Sequence, residues 1–154
     1  MSGGPPRGAR PARATGVEVR TGDWDAMCAD AAPIRLEVFV IEQGCPESEE
    51  WDGHDERSVH AVAYVDGAPV ATGRLLPDAH IGRMAVRAAH RGTGIGARVL
   101  LRLVEIAQAR GDAAVELSSQ CPAIGFYARH DFVAYGEVYD DCGIPHRMMR
   151  RALR

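Results

Sequence analysis

Hydrophobic residues recur along the chain with two different periods, and the changes between these periods predict the order of strands and helices. Segments 59–65 and 70–76 are strand-like and largely apolar, and the turn-forming pair Asp66-Gly67 lies between them. A third apolar segment follows at 80–86 after a second turn signal. We therefore expect three consecutive antiparallel strands.

A helical period begins after this third strand. Apolar residues return at every third or fourth position, which is typical of an amphipathic helix, at Ile95, Val99, Leu103 and Ile106. Gly111 is suited to ending that helix. Segment 113–119 reads as a strand again. Because a helix connects it to segment 80–86, we expect the two strands to be parallel.

Shorter elements precede this central region. A strand is predicted at 17–20, and two short helices, one from Trp24 and one over 34–42, should be joined at a bend at Pro33. The acidic segment, residues 45–56, is rich in turn formers and has no period, so it is predicted to be a loop.

Three elements are predicted near the carboxyl terminus. A short helix should cover 123–130, and strands should follow at 133–139 and 146–153. Together the elements predict an α/β (α+β) fold. We expect a mixed, mostly antiparallel sheet of about six or seven strands, with helices on both faces.

Composition limits the classes of function. The chain has 154 residues, which suits one domain, expected at 15–154 after a disordered Gly/Pro/Arg tail at 1–14. A formal net charge of -3 gives no electrostatic reason to expect a nucleic-acid partner. The apolar runs fall short of the ~20 residues needed to cross a bilayer, and we see no signal-peptide core. We therefore expect a cytoplasmic protein with no membrane partner.

The cysteines and histidines do not predict a metal site. Four cysteines are spaced too widely for a C-x-x-C zinc ribbon, and the six histidines show no compact ligand spacing. A domain of this length does not need disulfides to fold. We expect reduced thiols and no metal cofactor.

A glycine-rich loop, Arg91-Gly92-Thr93-Gly94-Ile95-Gly96-Ala97, joins the third strand to the long helix. Its alternating glycines let the backbone approach an anion closely, and the helix presents the positive end of its dipole to the same point. The loop therefore predicts a phosphate site, to which Arg91 would add a full charge. A P-loop is excluded because the chain contains no lysine.

A dinucleotide site is another interpretation of this loop. Segment 92–97 contains G-x-G-x-x-A, and Glu116 follows at about the ~20-residue spacing expected for a ribose-binding acid. However, a hairpin and a helix precede the loop, and the chain after Glu116 is too short for a second mononucleotide-binding half. An NAD-dependent oxidoreductase is accordingly the least favoured alternative.

Two motifs resemble one enzyme family. Arg91-x-x-Gly94-x-Gly96 resembles the (Q/R)-x-x-G-x-(G/A) signature of the GNAT superfamily of acyl-CoA-dependent N-acyltransferases. Segment 123–132 resembles the A-x-x-F-Y-x-x-x-G-F run of the same family, with Asp131 where glycine is usual. Aspartate accommodates the left-handed conformation expected there better than most residues.

Three further segments resemble the ElaA-like branch of this superfamily. They are residues 35–43, the acidic segment with Asp52-Gly53 and Asp55, and residues 142–146. The combined resemblance covers most of the chain from Arg35 to Met149, with its motifs in the order that the family has. It implies the GNAT fold and acetyl-CoA as cosubstrate.

The resemblance also implies which residues contact the coenzyme. Strand 80–86 would pair with the pantetheine arm, one of its N–H groups would polarise the thioester carbonyl, and the glycine loop would bind the diphosphate. The thioester would lie where this strand and segment 113–119 separate. The expected contacts are Met84, Ala85, Val86, Arg91, Gly92, Thr93, Gly94, Ile95, Gly96, Ala97, Ser119, Phe126 and Tyr127.

The reaction also needs an acid and a base. Tyr127 stands where the family commonly has its general acid, and a phenol with a pKa near ~10 could protonate the departing thiolate. The base stays open between Glu42, Glu116 and His146. His146 is favoured because its turn should lie near the acceptor and its charge changes near neutrality.

The predicted function is transfer of an acetyl group from acetyl-CoA to a primary amine of a small molecule or peptide, by direct attack in a ternary complex. The acidic segment is either a solvated surface or a rim that attracts a cationic acceptor, with Trp51 offering an aromatic face. The alternative is a non-catalytic acyl-CoA-binding or partner-binding module. Exposed sheet edges would allow a homodimer.

Overall fold

A computed structural model describes residues 16–153, which form a seven-stranded mixed sheet of order β1-β2-β3-β4-β5-β7-β6. Its parallel pair, β4 with β5, flanks the helical crossover as predicted, and the other neighbours are antiparallel. The predicted tail at 1–14 lies outside the described residues. The strands are β1 Val17–Gly22, β2 Val59–Val65, β3 Ala68–Leu75, β4 His80–Val86, β5 Ala114–Gln120, β6 Val133–Asp141 and β7 Ile144–Ala152.

Helices cover both faces of the sheet, as predicted. Ala61 and Ala63 of β2 face the larger core, whereas Val62 and Tyr64, at alternate positions, face a second core. The long crossover helix packs on the larger core, and the first helix packs on the second. The helices are α1 Trp24–Arg35, a π-helix Leu36–Glu42, α2 Glu47–Glu50, α3 Ile95–Ala109 and α4 Ile124–Ala128. Within residues 16–153 no helix is long and apolar enough to cross a membrane.

The predicted bend at Pro33 is wrong. Pro33 lies inside α1, and the chain continues directly into the seven-residue π-helix. The wider winding is visible where the N–H of Gln43 donates to the carbonyl of Val38 at 3.1 Å, a bond that spans five residues. The π-helix brings Val38, Phe39 and Gln43 to the cavities described below.

A β-bulge distorts the middle of β4. Gly73 of β3 opposes both Arg83 and Met84, and Arg83 adopts a left-handed φ of 51°. Pairing between β4 and β5 ends at Ile81 and Leu117, beyond which the two strands separate. The sheet is therefore split between its two parallel strands, with the bulge beside the split.

Candidate active site

The glycine loop borders the largest cavity beside the split, which we call the loop cavity. It measures about 680 Å³ and lies between the end of β4, the start of α3 and α4. Ten of the thirteen residues predicted to contact the coenzyme line it. They are Met84, Ala85, Val86, Arg91, Gly92, Gly94, Gly96, Ala97, Phe126 and Tyr127.

The three alternating glycines have separate local roles. Gly92 and Gly94 adopt positive φ angles of 80° and 87°, and Gly94 is the N-cap of α3. This turn leads the chain directly into the first turn of α3, whose free N–H groups suit an anion. A Cβ atom on Gly96 would lie 3.4 Å from Cγ2 of Val86, so glycine permits close packing of α3 on β4.

The Arg91 side chain is held at the rim of the loop cavity. Its Nε donates to the Val86 carbonyl at 2.8 Å, and its two terminal nitrogens donate to the Glu42 carboxylate at 2.8 and 3.0 Å. Glu42 is therefore engaged by a guanidinium and lines the loop cavity, apart from the cavity that holds His146. This position disfavours Glu42 as the base, and its observed contact is with Arg91.

A second cavity, which we call the split cavity, adjoins the loop cavity. It measures about 230 Å³ and shares Gln43, Met84, Ala123 and Tyr127 with the loop cavity. Tyr127 is thus located where the two spaces meet. Its ring is packed between Phe126 and Phe132, and burial raises the pKa of its phenol to about 12.

His146 lines the split cavity and a third space, the mouth cavity, of about 140 Å³. Its Nδ1 lies 2.7 Å from the Ile144 carbonyl, and since a carbonyl only accepts, the neutral ring must carry its proton on Nδ1. Nε2 then has a free lone pair. The Tyr139 ring stacks on the imidazole at 6.0 Å between centroids, and its hydroxyl contacts Ser118.

Three of the six carboxylates in the acidic segment, Glu50, Asp52 and Asp55, are bound to arginines, so these three do not form a free cation-attracting rim. Arg35 contacts buried Glu50 and Asp55 at 2.6 and 2.8 Å, and Arg74 contacts Asp55 at 2.9 Å. Burial opposes ionisation of Asp55, but the two guanidinium groups outweigh it and lower the pKa of Asp55. Arg83 contacts Glu50 at 3.2 Å. These carboxylates are already neutralised.

The segment also differs from the predicted loop in conformation. It contains helix α2 and a 3-10 turn at Asp55–Arg57. The face of Trp51 is covered by the Arg35 guanidinium, 5.1 Å from the ring centroid. The aromatic face predicted for an acceptor cation is therefore occupied by a side chain of the protein itself.

Three predicted coenzyme contacts do not line the loop cavity. The Thr93 hydroxyl donates to the His90 carbonyl at 2.6 Å, and Ile95 is buried in the core. Ser119 is also buried, and its hydroxyl donates to the Gln120 carbonyl at 2.8 Å. Glu116, the remaining candidate base, accepts a hydrogen bond from the Tyr135 hydroxyl and does not line the split cavity.

Several lining residues were not predicted. The amide of Gln120 donates to Oε1 of Gln43 at 3.0 Å and so bridges β5 to the end of the π-helix. Arg83 and Asp141 line both the split cavity and the mouth cavity. In the sequence, Arg83 is recognisable as a charged residue inside an apolar strand. The bulge that directs its side chain to the cavity cannot be recognised from the sequence.

A family model described as an acetyltransferase (GNAT) domain matches residues 25–153. The chain belongs to the GNAT acetyltransferase family. The N-acetyltransferase YjcF of Bacillus subtilis, described as uncharacterized, is 35% identical over 126 residues, which cover 79% of this chain and 90% of YjcF.

Solved structures agree with the GNAT assignment. An acyl-CoA N-acyltransferase from Pseudomonas aeruginosa matches with a TM-score of 0.79 at 34% identity. The match covers 88% of this chain and 99% of the Pseudomonas chain. Escherichia coli ElaA has a TM-score of 0.79 at 28% identity, with the same coverage of 88% and 99%. The predicted resemblance and fold are confirmed, and this GNAT chain is an acyl-CoA N-acyltransferase.

Proposed function

We propose that this acyltransferase moves an acetyl group from acetyl-CoA to a primary amine by direct attack in a ternary complex. The observation that carries the proposal is the meeting of two cavities at Tyr127, one bordered by the glycine loop and one open to the mouth cavity. Donor and acceptor would then enter through different cavities and meet at Tyr127. Holding both reactants in line can supply up to about 7–11 kcal/mol of the barrier.

The loop cavity fits an acyl-CoA. Its anion-binding end is formed by Gly92, Gly94 and the start of α3, with Arg91 beside it. Its other wall is the stretch of β4 that follows the last pair with β5, at Ile81 and Leu117. Backbone groups on that edge have no β5 partner and could pair with the amides of a pantetheine arm.

Tyr127 is the proposed general acid. Its raised pKa, about 12, keeps the phenol protonated at neutral pH because burial disfavours the phenolate. A departing thiolate, whose conjugate acid has a pKa near ~8.5 in model thiols, would gain a proton donor at the junction of the cavities. Expulsion of coenzyme A would thereby be assisted.

His146 is the proposed base. An aliphatic amine has a pKa near ~10.4 and reaches the enzyme mostly protonated, so its proton must be removed before attack. The hydrogen bond from Nδ1 to the Ile144 carbonyl leaves Nε2 as the acceptor, and the ring lines both the split cavity and the mouth cavity. His146 would accept the proton directly or through water.

The acceptor is proposed to be cationic, for a reason different from the one the sequence suggested. Glu49 and Asp141 line the mouth cavity, and within residues 16–153 neither carboxylate pairs with an arginine or histidine. They leave negative charge at the entrance, whereas Glu50, Asp52 and Asp55 are bound to arginines. This favours a small molecule or peptide with an ammonium group.

A thermal-shift panel with acetyl-CoA, CoA and NAD tests the donor. A ligand at ~100 times its dissociation constant should stabilise the protein by about 2.7 kcal/mol, and we expect this from both coenzyme A forms. Thiol release with a panel of mono- and polyamines then tests transfer. Stabilisation without thiol release would indicate a binding module, whereas stabilisation by NAD alone would overturn the proposal.

A further inference from the structure

Two cysteines from distant parts of the chain meet at the mouth cavity. Cys45 follows the π-helix, and Cys142 occupies the tight turn between β6 and β7. Both line the mouth cavity, which neither Cys28 nor Cys121 does. Two segments far apart in the chain therefore each contribute a thiol to the space through which we propose the acceptor enters.

The turn holds the Cys142 thiol in place. Cys142 and Gly143 have positive φ angles of 55° and 74°, and Asp141 pairs with Ile144 on either side of them. This is the geometry of a two-residue type I′ hairpin. The side chain of Cys142 is therefore carried on a short, defined turn and is exposed to solvent.

Both thiols line the same small cavity, of about 140 Å³, and therefore lie near each other. A hydrogen bond with Cys45 is the main reason that the pKa of the Cys142 thiol is raised, to about 12, with burial and the charge of Asp141 adding to it. The Sγ of Cys142 also donates to Oε1 of Glu49 at 3.8 Å. The thiol of Cys142 thus remains protonated at neutral pH, which leaves Cys45 as the first nucleophile.

We propose that Cys45 and Cys142 are a disulfide-forming pair that closes the mouth cavity when the protein meets a disulfide oxidant such as oxidised glutathione. The thiolate of Cys45 attacks one glutathione sulfur, and glutathione thiolate leaves. Cys142 then attacks the Cys45 sulfur, and its proton passes to the second glutathione, which leaves as a thiol. The two cysteines lose two electrons in total, and oxidised glutathione gains them.

Closure should affect the two substrates differently. The bond would tie the segment after the π-helix to the β6–β7 turn, across the mouth cavity. The loop cavity shares neither cysteine, so coenzyme binding should persist. This consequence for the acceptor rests on the proposed function, whereas formation of the bond does not.

The test uses the full chain in mixtures of reduced and oxidised glutathione, followed by alkylation and peptide mapping by mass spectrometry. We expect two of the four cysteines to escape alkylation and to be found as one Cys45–Cys142 disulfide. The double variant Cys28→Ser/Cys121→Ser should form the same link. The matched variant Cys45→Ser/Cys142→Ser should form no internal link and acquire only single glutathione adducts.

Separate glutathione adducts on Cys45 and Cys142, or a dominant link to another cysteine, would overturn the inference. Mapping of the unmutated chain gives this answer even if a double variant fails to fold. In the oxidised protein, freed of glutathione, acetyl-CoA, which has no free thiol, should give the same thermal shift as in the reduced protein. The initial rate of thiol release with amines should fall. Loss of the acetyl-CoA shift in both forms would instead count against the proposed function.

Discussion

At the scale of single residues, Tyr127 combines an apolar surrounding with a position between two cavities. Its edge-on contacts with Phe126 and Phe132 fix the ring, and its raised pKa follows from burial. A phenol in this state stays protonated at neutral pH and can donate a hydrogen bond to the thiolate that forms beside it. It does not supply a base itself at neutral pH.

Removing this hydroxyl should separate chemistry from binding. We expect Tyr127→Phe to lower kcat by about 10² or more, within the range for loss of a general acid, while KM for acetyl-CoA changes little. Steady-state kinetics with the best amine of the panel would measure both. Tyr135→Phe, which loses an exposed hydroxyl bound to Glu116, is the control and should keep the parent kcat. Full activity in Tyr127→Phe would mean that water, and not Tyr127, protonates the departing thiolate.

His60 predicts a pH effect on stability. It is buried against Trp24 and contacts the Asp55 carbonyl at 2.9 Å, and desolvation lowers its pKa below 6.5. The unfolded chain therefore binds a proton that the folded protein does not, so stability is complete above about pH 6.5 and falls as the pH drops below it. Urea midpoints between pH 7.5 and 5 would measure the fall.

Two aspartates of the acidic segment affect stability in a separate, lower pH range. Folding lowers the pKa values of Asp52 and Asp55, so their contribution is present above about pH 4 and is lost at lower pH. In the variant His60→Gln, the free energy of unfolding should change little between pH 7.5 and 5. Its fall below about pH 4 should remain. An unchanged slope between pH 7.5 and 5 would contradict the role given to His60.

Sequence reasoning succeeded with residues whose role depends on local backbone. Asp131 was expected to be left-handed and has a φ of 70°. It could not identify contacts between residues far apart in the chain, such as the contact of Glu42 with Arg91. Side-chain partners at long sequence separation carry no periodic signal, so the candidate base could not be chosen from the sequence.

At the scale of elements, the strands were predicted closely because alternating apolar residues mark them. Segments 59–65 and 80–86 have the predicted bounds. The π-helix and the β4 bulge were not predicted, since each inserts one residue into a regular pattern without changing its composition. Both irregularities border the split, where they determine which side chains enter the cavities.

Gly73 should be sensitive to substitution because it lies opposite the bulge. An added Cβ would be 2.5 Å from Sδ of Met84 and 3.1 Å from side-chain atoms of Val99 and Leu103. We expect Gly73→Ala to destabilise the fold by about 1–3 kcal/mol through overpacking, measured by urea unfolding. Gly82→Ala, with nothing within 4 Å of its added Cβ, should stay within about 1 kcal/mol of the parent. Equal effects would disprove the steric explanation.

At the scale of the whole molecule, a network of arginines fastens the acidic segment to the sheet. Arg35 comes from α1 and Arg74 from β3, and both contact Asp55. The segment consequently forms a rigid side of the mouth cavity. Its sequence suggested an open, solvated loop because acidic composition alone does not reveal buried partners.

Loss of the central arginine should be costly. Arg35→Met would leave Glu50 and Asp55 buried with fewer partners, and we expect a loss of about 3–5 kcal/mol in the free energy of unfolding. Chemical denaturation would measure it. Arg102→Met, which removes an exposed pair with Glu105, should cost less than about 1 kcal/mol. A similarly small loss in Arg35→Met would mean that Arg74 and Arg83 suffice.

The arginine network also determines what the protein's own fluorescence can report. Both tryptophans of the chain lie against Arg35, with 6.4 Å between the centroids of Trp24 and Trp51, and neither lines any of the three cavities. Emission near 350 nm should therefore rise when the acidic segment detaches in denaturant, whereas titration with CoA should leave the spectrum nearly unchanged. Tryptophan fluorescence should therefore report unfolding of the acidic segment and not coenzyme binding.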